Sequence, residues 1–124
     1  MSYVVTGGCG FIGSNFVINQ INKNNKVFNF DKLTYAANQD NLFEINKNSN
    51  YTFLKGNITD SKKLSSAIKE FNPDVIINFA AESHVDRSID GPKDFIETNI
   101  IGTYELLQSS LSYFNDLSDD DKSQ

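Results

Sequence analysis

The chain has 124 residues, 39 % of them apolar, a net charge of −5 and a pI near 4.7. That length suits one domain with one core, and the apolar fraction sets its bulk apart from disordered chains. The acidic balance, with no basic cluster, excludes nucleic acid as a partner and a basic amphipathic helix for membrane surfaces.

No apolar run approaches the roughly 18 residues of a membrane span, and the first residues enter a strand pattern rather than a signal peptide. A soluble cytoplasmic protein without a membrane partner is expected. Tyr3 to Val5 is a β-branched and aromatic run that ends in Thr6-Gly7-Gly8. A helix pattern follows, with Ile12 and Phe16, and Val17 and Ile21, spaced i,i+4. Val27 to Phe30 reads as a second strand, closed by Asp31. Lys32 to Asn50 is a long connection with one or two helical turns around Gln39 to Ile45. Tyr51 to Leu54 reads as a third strand. Asp60 then caps an amphipathic helix whose apolar residues are Leu64, Ala67, Ile68 and Phe71, and Pro73 prevents its continuation.

Val75 to Phe79 is a fourth strand, apolar on both faces except at Asn78, as in a strand covered on both sides. Gly91-Pro92 opens the last helix. That helix carries one apolar stripe at Ile100, Tyr104, Leu107 and Leu111 and another at Phe95, Gly102 and Leu106. Strand and helix thus alternate four times, which implies βαβ units in a parallel sheet. The expected class is α/β, a Rossmann-like sheet with helices on both faces, truncated after about four of the six strands of the full sheet. Val75 to Phe79 would then lie at an exposed apolar edge.

Between the first strand and its helix, Gly7, Gly10 and Gly13 are spaced G-x-x-G-x-x-G. The context is the one phosphate chemistry requires. Gly7 permits the turn, Gly10 leaves room for a pyrophosphate, and Gly13 lets the helix sit close. The helix N-terminus offers N–H groups and partial positive charge to the phosphates. A glycine-rich turn without a ligand is the alternative. Asp31 lies near the ~20-residue offset of the acid that holds ribose hydroxyls, which favours NAD over NADP. Lys32 beside it weakens that exclusion, and a turn-forming aspartate is the alternative reading of Asp31. Cys9 reads as a small filler, since no partner base or metal-ligand spacing accompanies it.

The glycine pattern with Thr6 and Phe11-Ile12 resembles extended short-chain dehydrogenases acting on nucleotide sugars. Asp31-Lys32-Leu33-Thr34-Tyr35-Ala36-Ala37-Asn38 and Phe79-Ala80-Ala81-Glu82-Ser83-His84-Val85-Asp86-Arg87-Ser88-Ile89 are similar to blocks of the dTDP-glucose 4,6-dehydratase family, as is Phe95 to Asn99 followed by Gly102-Thr103. GDP-mannose dehydratases share the Ser-His-Val element and are the nearest rival.

The resemblance implies a nucleotide-sugar lyase that uses NAD and works as a homodimer on dTDP-glucose. It implies that Phe11 and Ile12 contact the pyrophosphate through their backbone and that Asp31, Lys32, Leu33 and Thr34 surround the adenosine ribose. It places Asn57 and Ile58 at adenine, where the family carries aspartate and isoleucine. An asparagine keeps an acceptor oxygen and gains donors. It sets Phe79, Ala80, Ala81, Glu82, Ser83 and Thr98 on the nicotinamide side, and Ser83 and His84 at the sugar. His84 would line the substrate rather than serve as the main base. Asp86 and Arg87 would pair or hold the substrate face, and Asn99 would fix backbone.

Family chemistry needs a tyrosine and a lysine four apart on a helix and an Asp-Glu pair after a fifth strand, and neither is found. Tyr51 and Lys55 match the spacing by count only, since four strand residues span ~13 Å against ~6 Å on a helix. No catalytic residue is therefore expected in the chain. Residues 1–115 read as an incomplete NAD-binding portion, 116–124 as an acidic flexible tail, and the whole as a fragment, a truncated product or part of a split enzyme. A non-catalytic NAD-binding module, or a remnant without a ligand, are the competing readings.

Overall fold

The computed structural model describes residues 1–35, 37–83 and 89–122. Its strands are β1 (Ser2–Thr6), β2 (Lys26–Asp31), β3 (Tyr51–Lys55) and β4 (Val75–Asn78). Helix α1 (Phe11–Asn22) joins β1 to β2, and α2 (Ser61–Phe71) joins β3 to β4. A 3₁₀ turn (Gln39–Leu42) lies in the connection from β2 to β3. All pairings are parallel and the order is β3-β2-β1-β4. The chain thus builds outward from β1 to β3, then crosses to the other side of β1. Open α/β sheets bind ligands where the strand order reverses, outside the carboxyl ends of the strands.

Adjacent residues of β1 explain the two layers. Val4 and Val5 are both fully buried and point to opposite faces. Val5 packs with Cys9, Val17, Ile21, Val27, Leu42 and Ile45 beneath α1. Val4 packs with Phe30, Ile58, Leu64, Ile68 and Leu106 beneath α2 and the last helix. Helices therefore cover both faces, as the sequence implies.

Asp60 caps α2 as expected, its Oδ1 accepting the N–H of Lys63 at 3.1 Å. Asn72, left-handed at φ 51°, ends the helix before Pro73. In α1 one expectation fails. Ile12 is 69 % exposed and does not join Phe16 in the core. The helix must turn Gly13 toward the glycine turn, and a step of ~100° from there swings Ile12 outward. Phe16 instead packs edge-on to Tyr3 and tilted on Phe79.

The final helix is not uniform. An α-helical turn α3 (Pro92–Phe95) passes into a π-helical stretch (Ile96–Gly102) and then into α4 (Thr103–Asp116), followed by the short α5 (Asp119–Lys122). Gly102, Leu106 and Ser109 face inward. The side chains of Ser65 and Ser109 meet at 3.0 Å, and Lys69 pairs with Asp116 at 2.7 Å, which ties α4 to α2. The stripe Ile100, Tyr104, Leu107 and Leu111 is exposed. Among the described residues β4 pairs only with β1, and Val75, Ile76 and Ile77 are half-buried at the edge of the sheet.

Candidate cofactor-binding site

The three glycines of the β1–α1 turn serve different needs. Gly7 has φ +70°, and a Cβ on it would lie 2.5 Å from the Ala80 nitrogen, so both conformation and space require glycine. A Cβ on Gly13 would strike the Gly7 carbonyl oxygen and come within 2.9 Å of the Gly8 Cα. Gly10 is ordinary. Its φ is −73°, and a Cβ there would meet nothing nearer than the Gly7 oxygen at 3.5 Å. The protein itself does not demand glycine at position 10. The space its missing side chain leaves opens at the start of α1, where the first-turn N–H groups lack intrahelical acceptors.

β2 supplies the floor of the turn. Asp31 is buried; its Oδ2 accepts the Cys9 N–H at 2.8 Å and its Oδ1 the Leu33 N–H at 2.7 Å. Each oxygen retains a second lone pair for a ligand hydroxyl. Two residues back on the same strand face, Asn29 is fully buried. Its Oδ1 accepts the Gly8 N–H at 3.1 Å, and its Nδ2 donates to the Tyr51 hydroxyl at 3.0 Å and to the Cys9 Sγ at 3.3 Å. Burial, and then the Asp31 carboxylate, push the Cys9 thiol from 9.0 up to about 11, so the thiol is inert filler as the sequence suggests. Burial pushes Tyr51 up from 10.0 to about 12. Tyr51 and Lys55 lie on one strand, unlike the helical tyrosine–lysine pair that the family chemistry needs.

At the carboxyl ends of the strands lies a cleft. It brings together Gly7, Gly10, Asp31, Lys32, Thr34, Asn57, Ile58, Phe79, Ala80, Ala81, Glu82 and Thr98 of the residues singled out in the sequence. Phe11, Ile12, Gly13, Leu33 and Ser83 do not line it. The side chains of Phe11 and Ile12 point to solvent, Gly13 is buried against the turn, and Leu33 packs into the core below α1. His84, Asp86 and Arg87 lie outside the described residues. Phe30, Ala37 and Gly56 line the cleft without having been anticipated. Gly56 follows β3 directly, and a Cβ on it would strike the Phe30 ring, so the signal available was a glycine closing a strand.

The walls are fixed by polar contacts. Asn57 Oδ1 accepts the Thr59 N–H at 3.1 Å. Asn99 clamps the opposite wall with two bonds, its Oδ1 accepting Glu82 N–H at 2.8 Å and its Nδ2 donating to Glu82 O at 2.9 Å. That is the backbone role expected of it. The Tyr35 hydroxyl donates to Glu82 Oε2 at 3.2 Å across the mouth. The π-helical stretch presents neighbours Thr98 and Asn99 to the same wall, and π-helical turns recur at functional sites.

A parallel sheet in this order, with helices on both faces and a glycine turn leading into α1 over an acid that ends β2, defines a Rossmann-type α/β protein. The chain belongs to the GDP-mannose 4,6 dehydratase family, whose model matches residues 4–118. It is similar to the dTDP-glucose 4,6-dehydratase of Escherichia coli, 51 % identical over 123 residues that make up 98 % of this chain and 34 % of that one. The solved dTDP-glucose 4,6-dehydratase of Bacillus anthracis in complex with NAD is 44 % identical with a TM-score of 0.80, covering 92 % of this chain and 34 % of its own. That of Streptomyces venezuelae, also with NAD bound, is 42 % identical with a TM-score of 0.84, covering 91 % and 36 %. The chain spans about a third of the length of the curated relatives it matches. The resemblance read from the glycine turn and the blocks at Asp31 and Phe79 therefore holds. Among the described residues, no helix is long and apolar enough to cross a membrane.

Proposed function

We propose that this chain is the NAD-binding part of a dTDP-glucose 4,6-dehydratase, the lyase that converts dTDP-glucose to dTDP-4-keto-6-deoxyglucose and water. The observation that carries the reading is Gly10. The neighbouring glycines of its turn are needed by the fold and it is not, which fits a position kept small for a ligand. The identity of 51 % to a dTDP-glucose enzyme favours that substrate over GDP-mannose.

In this reading the N–H groups at Phe11, Ile12 and Gly13 hold the pyrophosphate. Asp31 takes the ribose hydroxyls, with Lys32, Leu33 and Thr34 around them. Asn57 and Ile58 meet adenine, Phe79 to Ser83 and Thr98 form the nicotinamide side, and Ser83 and His84 reach the sugar. Bound there, NAD would supply the hydride acceptor for oxidation of the sugar and the donor for its later reduction. The chain's own residues bind and orient; the reading assigns no catalytic group to residues 1–124. The complete enzyme would be a cytoplasmic homodimer, with residues 1–115 as the cofactor-binding portion and 116–124 as a tail.

Calorimetric titration of the chain with NAD and NADP tests this. NAD should bind more tightly, because Asp31 repels a 2′-phosphate, and Asp31→Ala should cost about 1.5–3 kcal/mol of NAD binding. Equal affinities would remove the argument from Asp31, and no binding of either would sink the reading.

A further inference from the structure

We infer that Asn29 is a positioning residue for the phosphate cradle, acting through the backbone of the glycine turn. The inference rests on the proposed dinucleotide reading and adds a residue to it. Four consecutive amides of the turn are already taken by protein acceptors. Gly7 donates to Phe30 O at 3.0 Å, Gly8 to Asn29 Oδ1 at 3.1 Å, Cys9 to Asp31 Oδ2 at 2.8 Å, and Gly10 to Gly7 O at 3.3 Å. The first helical bond is Ser14 N–H to Gly10 O at 2.9 Å. The amides of Phe11, Ile12 and Gly13, between these two sets, are the ones left for an anion at the helix N-terminus.

Of the four acceptors, two are backbone carbonyls and two are side chains of β2, both on one strand face. Asp31 also borders the cleft. Asn29 does not. It is fully buried below the turn, where a Cβ on Gly8 would collide with it. Its amide is held in one orientation, because Oδ1 must accept from Gly8 while Nδ2 donates to the Tyr51 hydroxyl and the Cys9 sulfur. A side chain tied at three points, two of them in the turn, fixes the direction of the amides that follow. Preorganised donors bind without the cost of ordering the loop.

The test compares ADP with adenosine on the full chain, by ligand-observed NMR titration. Both ligands use the base and ribose contacts, and only ADP uses the cradle. Asn29→Leu keeps the volume but leaves the Gly8 N–H without its acceptor. It should weaken ADP about 10- to 30-fold, the size expected for a lost buried hydrogen bond, and adenosine less than about 3-fold. Tyr51→Phe, which removes only the far anchor of Asn29, should weaken ADP about 2- to 5-fold with adenosine unchanged. An unchanged ADP-to-adenosine ratio in a folded Asn29→Leu chain overturns the inference. If that variant does not fold, an unchanged ratio in Tyr51→Phe does so. Failure of the unaltered chain to bind either ligand overturns the dinucleotide reading itself, a different outcome from an unmoved ratio.

Discussion

The middle of the sheet and its β4 side are built to different standards. Around β1, β2 and α1, the apolar residues Val4, Val5, Val17, Ile21, Val27 and Phe30 are sealed, and the polar ones among them, Asn29 and Asp31, are matched bond for bond to the turn above. On the side of β4 and the last helix, the strand is half-buried at an edge. Ile96, Ile100, Ile101, Tyr104, Leu107, Leu111 and Phe114 stand in solvent. The apolar residues are similar in kind in both places. What differs is whether anything covers them, and only the first region resolves its own interior. An exposed apolar face of this extent marks a contact surface, which accords with the proposed homodimer.

The sharpest way to break the first region is Gly13→Ala. The new methyl would be driven into the backbone of Gly7 and Gly8, which cannot yield as a side chain can. A loss of about 3 kcal/mol or more is expected in urea unfolding, and a wild-type midpoint would show that the turn is softer than it looks. Gly10→Val is the counterpart. The fold should hold to within about 1 kcal/mol, while NAD affinity falls at least ~100-fold, or about 2.7 kcal/mol. Retained affinity would mean that the space beside Gly10 is not where a phosphate enters.

Alkali should also single out the first region. The Cys9 and Tyr51 protons are held in the folded chain up to about 11 and about 12, above their ordinary values of 9.0 and 10.0. The unfolded chain gives them up first. Their contribution is therefore whole below about pH 9 and is lost as pH rises through the folded values. Urea midpoints measured from about pH 8 to 11 should fall, and less steeply in a Cys9→Ala, Tyr51→Phe double variant. Equal slopes would remove these two groups as the cause. The smallest effect on stability is expected in the second region. Leu107→Glu with Leu111→Glu should change the unfolding free energy by no more than about 0.5 kcal/mol. It should nonetheless reduce self-association in sedimentation, and unchanged sedimentation would leave this face without a contact role.

Much of the molecule was legible because its signals are local. The G-x-x-G-x-x-G spacing, the Asp60 cap and the period of Leu64, Ala67 and Ile68 each declare themselves within a few residues, and strand limits came within one or two positions. Of the residues that line the cleft, Gly7 and Gly10 of the turn, most of the blocks at Asp31 and Phe79, and Asn57, Ile58 and Thr98 were named from the sequence. Asn29 was missed because its meaning lies in partners 20 to 22 residues away, Cys9, Gly8 and Tyr51. The available clue was a lone polar residue of an apolar strand, with the same parity as Asp31. Ile12 misled because i,i+4 spacing to Phe16 says nothing of which way the helix is rotated. The π-helical stretch is invisible to spacing, since both stripes of the last helix fit an ordinary period.

The strand order also sets an order of events as the chain folds. β1 is synthesised before both of its neighbours, which arrive at very different times. The contact of Met1 with Asn25 closes 24 residues of chain, and that of Ser2 with Asp74 closes 72. Closing the longer loop costs about 1 kcal/mol more in chain entropy. The β1–β2–β3 half can therefore assemble while β4 is still to come. Gly7, however, takes its place against the backbone of Phe79 and Ala80, just past β4. The turn that follows β1 is thus seated only after β4 has formed, and competence for the proposed ligand arrives only with β4.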